Sequence, residues 1–213
     1  MHTEDQLNDF IEIINLEAIQ QLPKATEHFV SDLHGEYEAF DHILRNGSGS
    51  IREKVETLFQ YSLTAAEKTE LCFLIYYPKE VLQEKDYPHE DWIQLMTQLV
   101  KVARFTSSKY TRSKVRKALP KQFAYILEEL LYQYDSDFNK EAYYKAIFDK
   151  IIDLSLAPLF CEQLAFLIQR FVVDHLHVIG DIYDRGPAPD KIIDRLMALP
   201  SLDIQLGLSL IHI

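Results

Sequence analysis

Two short apolar runs lead into motif blocks 149 positions apart, counted from Asp32 to Asp181, and they constrain what this chain can fold into. The first, His28-Phe29-Val30, is followed by Asp32-Leu33-His34-Gly35. The second, residues 172–179, leads into Gly180-Asp181-Ile182-Tyr183-Asp184-Arg185-Gly186. Short β-branched runs that end in glycine and give way to a helical pattern read as strands of an α/β sheet. Such sheets bind ligands at the carboxyl ends of their strands. The two blocks therefore belong on strand ends, and what lies between them is largely an insertion between the first two strands.

Most of the chain outside the strands is helical in pattern. Leu7, Phe10, Ile11, Ile14 and Ala18 recur at helical spacing over 4–22, predicting an amphipathic helix that Pro23 stops. Strand one is predicted at 27–31. A helix over 36–45 carries Tyr37, Phe40, Ile43 and Leu44 and closes on Asn46-Gly47. Ser48-Gly49-Ser50 reads as a loop and the cap of the next helix. Helical patterns follow at 50–60, 64–76, 78–84, 89–105, 109–117, 120–133, 139–153 and 158–170, with no internal repeat. After strand two, Pro187 and Pro189 introduce a helix over 189–198, and 201–205 reads as a third short strand. The expected class is α/β, with a helical module between the first two strands. The pieces are 1–50, 51–170 and 171–207.

Composition narrows the function classes. With 213 residues the chain can bury a substantial core, and 47% hydrophobic with 26% charged residues is an ordinary globular balance. A net charge of −11 argues against nucleic acid as a partner. The longest apolar stretches, such as 71–77, are too short to span a bilayer, and the acidic start has no apolar signal core. Cys72 and Cys161 are isolated, which suits a reducing cytoplasm.

The blocks carry metal chemistry. Asp32 and His34 are one residue apart, so on an extended segment both side chains point the same way. Their oxygen and nitrogen donors suit Mn, Fe or Zn. Asp181 can place a carboxylate between two ions roughly 3.5–4 Å apart, where a bound hydroxide becomes a nucleophile toward phosphorus. Arg185 can grip phosphate oxygens. Asp184 suits the role of orienting a histidine that acts as ligand or acid. By contrast His28, His175 and His177 read as packed or hydrogen-bonded strand residues.

Asp32-x-His34 with the block 180–186 resembles the calcineurin-like metallophosphoesterase superfamily. The longer wording is more specific: Phe29-Val30-Ser31-Asp32-Leu33-His34-Gly35-Glu36-Tyr37, Ile179 through Pro187, and the basic stretch 109–120. Together they are similar to the class 3 fructose-1,6-bisphosphatases of bacteria, from near the start to about Gly207. The resemblance implies a partial metallophosphoesterase sandwich with a large all-helical insertion between its first two strands. It also implies manganese-dependent hydrolysis of the 1-phosphate of fructose 1,6-bisphosphate in gluconeogenesis. Asp32 and His34 match ligands of one metal and Asp181 the bridging carboxylate. Arg185 matches a phosphate contact, and Asp184 the partner of a histidine in a later block. The long interval between the blocks favours a sugar phosphatase over the protein Ser/Thr phosphatases.

The pattern then breaks. The family's third block, Gly-Asn-His-Asp, is approached by Asp203-Ile204-Gln205-Leu206-Gly207 and is then lost at Leu208-Ser209-Leu210-Ile211-His212-Ile213. Residues 208–213 are therefore expected to be a non-native tail, with His212 no replacement ligand. The chain is expected to be an N-terminal fragment, inactive alone. Residues 101–121 hold eight Lys and Arg and no acid. Two readings stay open there. One is a solvated face or a subunit contact of a homo-oligomer. The other is an anion site for sugar phosphate or a nucleotide effector, built from Arg112, Lys114, Arg116 and Lys117. Tyr143, Tyr144, Phe148, Phe160 and Phe166 read as core. The competing functions are a phosphoprotein or dinucleotide polyphosphate phosphatase with a helical cap, and a non-catalytic helical interaction module.

Overall fold

Alternation of apolar residues builds a small sheet. The computed structural model describes residues 4–23, 26–85, 87–132 and 141–207. Strands β1 (Glu27–Ser31), β2 (His175–Gly180) and β3 (Leu202–Leu206) pair in parallel, in the order β1-β2-β3. Ser31 faces Ile179 and Ile179 faces Gln205, so the three strands end at one level. Leu176 and Val178 point to one face. There they pack with Phe40 and Leu44 of α2 (Tyr37–Asn46) and with Ile192 and Leu196 of α11 (Pro189–Met197). The opposite face carries His175, His177, Ile179 and Phe29, and Phe29 is 64% exposed. The expected tail 208–213, His212 included, lies outside the described residues.

A second, larger core belongs to the helical module. It comprises α3 (Ser50–Leu58), α4 (Ala65–Tyr76), α5 (Pro78–Glu84), α6 (His89–Ser107), α7 (Arg112–Ala118), α8 (Ala124–Tyr132), α9 (Glu141–Asp153) and α10 (Ala157–Val172). Ile51, Ile75, Met96, Leu99, Leu127, Phe160 and Leu164 are fully buried among them. Thr64 and Glu67 form a reciprocal capping box at the start of α4. Cys72 and Cys161 are free and buried, and burial pushes the Cys161 thiol well up.

Several expected boundaries move for local reasons. Strand two begins at His175 because Val172 completes α10 and buries in the helical core. The helix expected from 109 begins at Arg112, where Thr111 Oγ1 caps it by accepting from the Lys114 amide. The 120–133 segment splits into a 3-10 turn, Lys121–Phe123, and α8. Gly49, not a serine side chain, stands at the cap position of α3, and its amide donates to Asn46 Oδ1 at 3.1 Å. Phe148 and Phe160 are core as expected, whereas Tyr143 is 40% exposed. No residue of α1 (Glu4–Gln20) is buried, so its apolar stripe faces outward.

A buried carboxylate ties together the two helices under the sheet. Asp41 of α2 accepts from Arg45 Nε at 2.5 Å and from Arg195 Nε of α11 at 3.1 Å. Because α2 follows the first block and α11 the second, this clamp fixes one block against the other. Replacing Asp41 with Ala leaves two guanidinium groups facing each other without their shared anion. Urea denaturation of the Asp41→Ala variant is expected to show a loss of about 2–3 kcal/mol, near the value for hydrogen bonds to charged groups.

Candidate active site

The two blocks stay hydrogen-bonded beyond the strands that deliver them. The Asp32 amide donates to Ile179 O and the His34 amide to Asp181 O, both at 3.0 Å. The Gly186 amide donates to His34 O at 2.5 Å and the Ala188 amide to Gly35 O at 3.1 Å. From the other side, the Gly207 amide donates to Gly180 O at 3.1 Å. This approach excludes side chains. A Cβ on Gly186 would stand 2.3 Å from His34 O, and one on Gly35 2.6 Å from Gly186 O. Backbone meets backbone there, and only glycine fits.

The same closeness seats the two carboxylates. The Asp181 amide donates to Asp32 Oδ1 at 3.4 Å. A Cβ on Gly180 would lie 2.2 Å from Asp32 Oδ1, and one on Gly207 2.0 Å from Asp181 Oδ1. Each carboxylate thus rests in a cradle that any side chain would fill. Asp32 and His34 do not lie on an extended segment, which corrects the expectation from their spacing. Asp32 has φ 52°, His34 φ 46° and Arg185 φ 77°, all left-handed. This conformation costs about 1–2 kcal/mol per residue. It persists where surrounding contacts over-determine it, as active sites commonly do.

Asp184 finds its histidine within the chain. His34 Nδ1 meets Asp184 Oδ1 directly, joining the two blocks through side chains as well as backbone. The left-handed turn at His34 goes with a ring that reaches the second loop. The hydrogen bond to His34, with the His34 and Arg185 charges, holds the Asp184 carboxyl below the usual range. Arg185 Nε is 3.5 Å from Asp184 Oδ2 and the side chain is otherwise solvent-facing. With Nδ1 engaged, Nε2 is the His34 nitrogen that could bind a metal.

The donor set fits a divalent ion: two carboxylates in glycine cradles and an imidazole whose tautomer a carboxylate fixes. The basic run behaves differently. Lys114 pairs with Asp174, and Arg116 Nη2 lies 2.6 Å from Glu128 Oε1. Arg112 sits 4.5 Å over the Tyr132 ring, and Lys117 is exposed. Lys114 and Arg116 thus turn to carboxylates on different elements. One cluster escaped the sequence reading: His175, His177 and Asp203 converge across β2 and β3. The only hint in the sequence was the alternating pair of histidines in strand two.

The glycine contacts make a direct prediction. Gly186→Ala is expected to push the loops apart, lower stability by about 1–3 kcal/mol and abolish the His34–Asp184 contact. Chemical denaturation and the His34 ring signals in 1H–15N spectra check both effects.

A family model described as Firmicute fructose-1,6-bisphosphatase matches residues 3–211. The chain is 64% identical over 200 residues to a fructose-1,6-bisphosphatase class 3 of Enterococcus faecalis. It is 54% identical over 203 residues to one from Oceanobacillus iheyensis, and 53% identical over 203 residues to one from Staphylococcus aureus strain Newman. These alignments take in 92% of this chain but only 31–32% of each relative. The chain therefore spans about a third of the length of the curated relatives it matches. No solved structure matches it.

Proposed function

The chain belongs to the Firmicute fructose-1,6-bisphosphatase family, and we propose that its two strand-end blocks supply part of the metal centre with which the complete protein hydrolyses the 1-phosphate of fructose 1,6-bisphosphate. The observation that carries this reading is the seating of Asp32 and Asp181 side by side, with the Asp181 amide on the Asp32 carboxylate. Divalent cations, with manganese as our choice, would supply Lewis-acid polarisation of the phosphoryl group and activation of water.

Asp32, His34 and Asp181 would hold the metal. Asp184 keeps the His34 ring in the orientation that turns Nε2 to it, a role in which carboxylate partners of metal-bound histidines commonly act. Arg185, exposed beside the site, would take phosphate oxygens through its planar fork. The sheet, covered by α2 and α11 on one face only among the described residues, is consistent with one half of a metallophosphoesterase sandwich. Two free buried cysteines suit a cytoplasmic setting. Among the described residues no single helix is long and apolar enough to cross a membrane.

The test uses the complete protein with Mn2+ and a panel of fructose 1,6-bisphosphate, a phosphoserine peptide and a dinucleotide polyphosphate. Phosphate release from the sugar bisphosphate should dominate. Asp181→Asn should cut kcat/KM by about 10³-fold, the equivalent of a few kcal/mol of charge stabilisation. Asp184→Asn should cost about 10–100-fold through the His34 orientation. Preference for the phosphopeptide, or an Asp181→Asn enzyme of normal rate, would overturn the reading.

A further inference from the structure

The open face of the sheet carries a second constellation of donors, away from the strand ends. His175 and His177 are alternate residues of β2 and point to the same face, while Asp203 of β3 stands in register with His177. Asp203 Oδ2 lies 2.9 Å from His175 Nε2 and 3.4 Å from His177 Nδ1. One ligand atom from each of the three residues falls within 4.8 Å of the others. The ring centroids of His175 and His177 are 4.4 Å apart. From this geometry we propose that His175, His177 and Asp203 form a separate transition-metal site, of the zinc class, that pins the edge strand β3 to β2.

The distances suit a metal. Ligand atoms about 2.1 Å from zinc at tetrahedral angles stand roughly 3.4 Å apart, and at octahedral cis positions roughly 3.0 Å. The two measured separations are 2.9 Å and 3.4 Å. Outer partners are in place as well. Ser201 Oγ lies 2.5 Å from His175 Nδ1, and in the tautomer where the hydroxyl accepts from Nδ1–H, Nε2 is left as a lone pair on the Asp203 side. That tautomer is the one in which Nε2 and the Asp203 carboxylate would serve one cation together. His177 gives an independent sign. Its Nε2 is buried without a hydrogen-bond partner, and the nearest carboxylate oxygen, Glu27 Oε2, is 3.7 Å away. If a neutral His177 donated its only proton from Nδ1 to Asp203, that orphaned nitrogen would hold a lone pair against a carboxylate. If Nδ1 binds a metal, Nε2 carries the proton and donates toward Glu27, the usual outer arrangement of a metal-bound histidine. Phe29 stacks on the His177 ring at 4.3 Å and 9°, holding it in this orientation.

The site is distinct from the strand-end blocks. A parallel strand rises about 3.3 Å per residue, which puts His177 roughly 13 Å along the chain from Asp181. It also does not depend on the phosphatase reading. The test therefore begins from the 213-residue chain carrying Asp32→Asn and Asp181→Asn, stripped with chelator, so that the strand-end donors are disabled. Zn2+ is titrated calorimetrically, and Co2+ by its visible absorption. A single equivalent should bind, Co2+ should show nitrogen-ligand bands, and Zn2+ should raise the melting temperature. Adding Asp203→Asn, an exposed change, or His177→Gln should weaken Zn2+ binding by at least about 100-fold and abolish the thermal shift. Circular dichroism checks that each variant folds; if His177→Gln does not, Asp203→Asn decides. Absence of Zn2+ binding in the starting variant, or binding that survives Asp203→Asn, overturns the proposal.

Discussion

The pairing of β1 with β2 is the constraint on which the rest of the structure depends. Its partners, Ser31 and Ile179, are separated by the whole helical module, yet the strand ends must coincide for the two blocks to meet. Closing a long loop costs little more than closing a moderate one, since each doubling adds only about 0.6 kcal/mol. The module offsets even that by folding around its own core, with α10 delivering the chain to β2 across Val173 and Asp174. The amino ends of the strands are tied from the module's side. The Asp174 amide donates to Thr26 O at 2.9 Å, Lys109 Nζ donates to Thr26 Oγ1 at 2.6 Å, and Lys114 pairs with Asp174. Tyr110 Oη donates to Phe171 O at 3.0 Å on the same junction. The basic run thus fastens the module to the root of the sheet.

At the carboxyl end the logic reverses, because there the chain is held by what it lacks. Gly35, Gly180, Gly186 and Gly207 let three backbones and two carboxylates share a space in which a Cβ has no room. The left-handed turns at Asp32, His34 and Arg185 are tolerated because backbone hydrogen bonds between the loops leave no alternative path. The Asp41 clamp below and the His34–Asp184 contact above hold the same pair of segments from opposite sides.

Much of this was legible in the sequence, for identifiable reasons. The helices were visible because their apolar positions recur at one period and some of their ends carry chemistry, such as Gly47 after α2. Asp32, His34, Asp181 and Asp184 stood out because carboxylates and an imidazole beside glycine at strand ends have few structural uses. Other features depend on facts that no local window contains. Val172 is β-branched and apolar whether it ends a helix or starts a strand, and only the helical core decides. The left-handed φ at His34 arises from the neighbouring loop 150 residues on, and with it the choice of Asp184 as partner. Lys114 and Arg116 looked like free charge because Asp174 and Glu128 are remote in sequence.

His175 and His177 show the same limit most sharply. Within β2 they are alternate residues of a short strand, and a strand histidine is ordinarily packed or hydrogen-bonded. Their meaning changes only through the register of β3, which sets Asp203 opposite His177 rather than one residue away. A slip of one residue would turn the carboxylate to the other face and leave two imidazoles alone. The register that levels the three strand ends is therefore also what brings His175, His177 and Asp203 together on the open face. Parallel sheets are normally covered on both faces. Here the exposed face presents Phe29 and Ile179 beside three metal donors. An ion bound by them restrains the edge strand that also places Gly207 against Asp181, so the order of one site supports the geometry of the other.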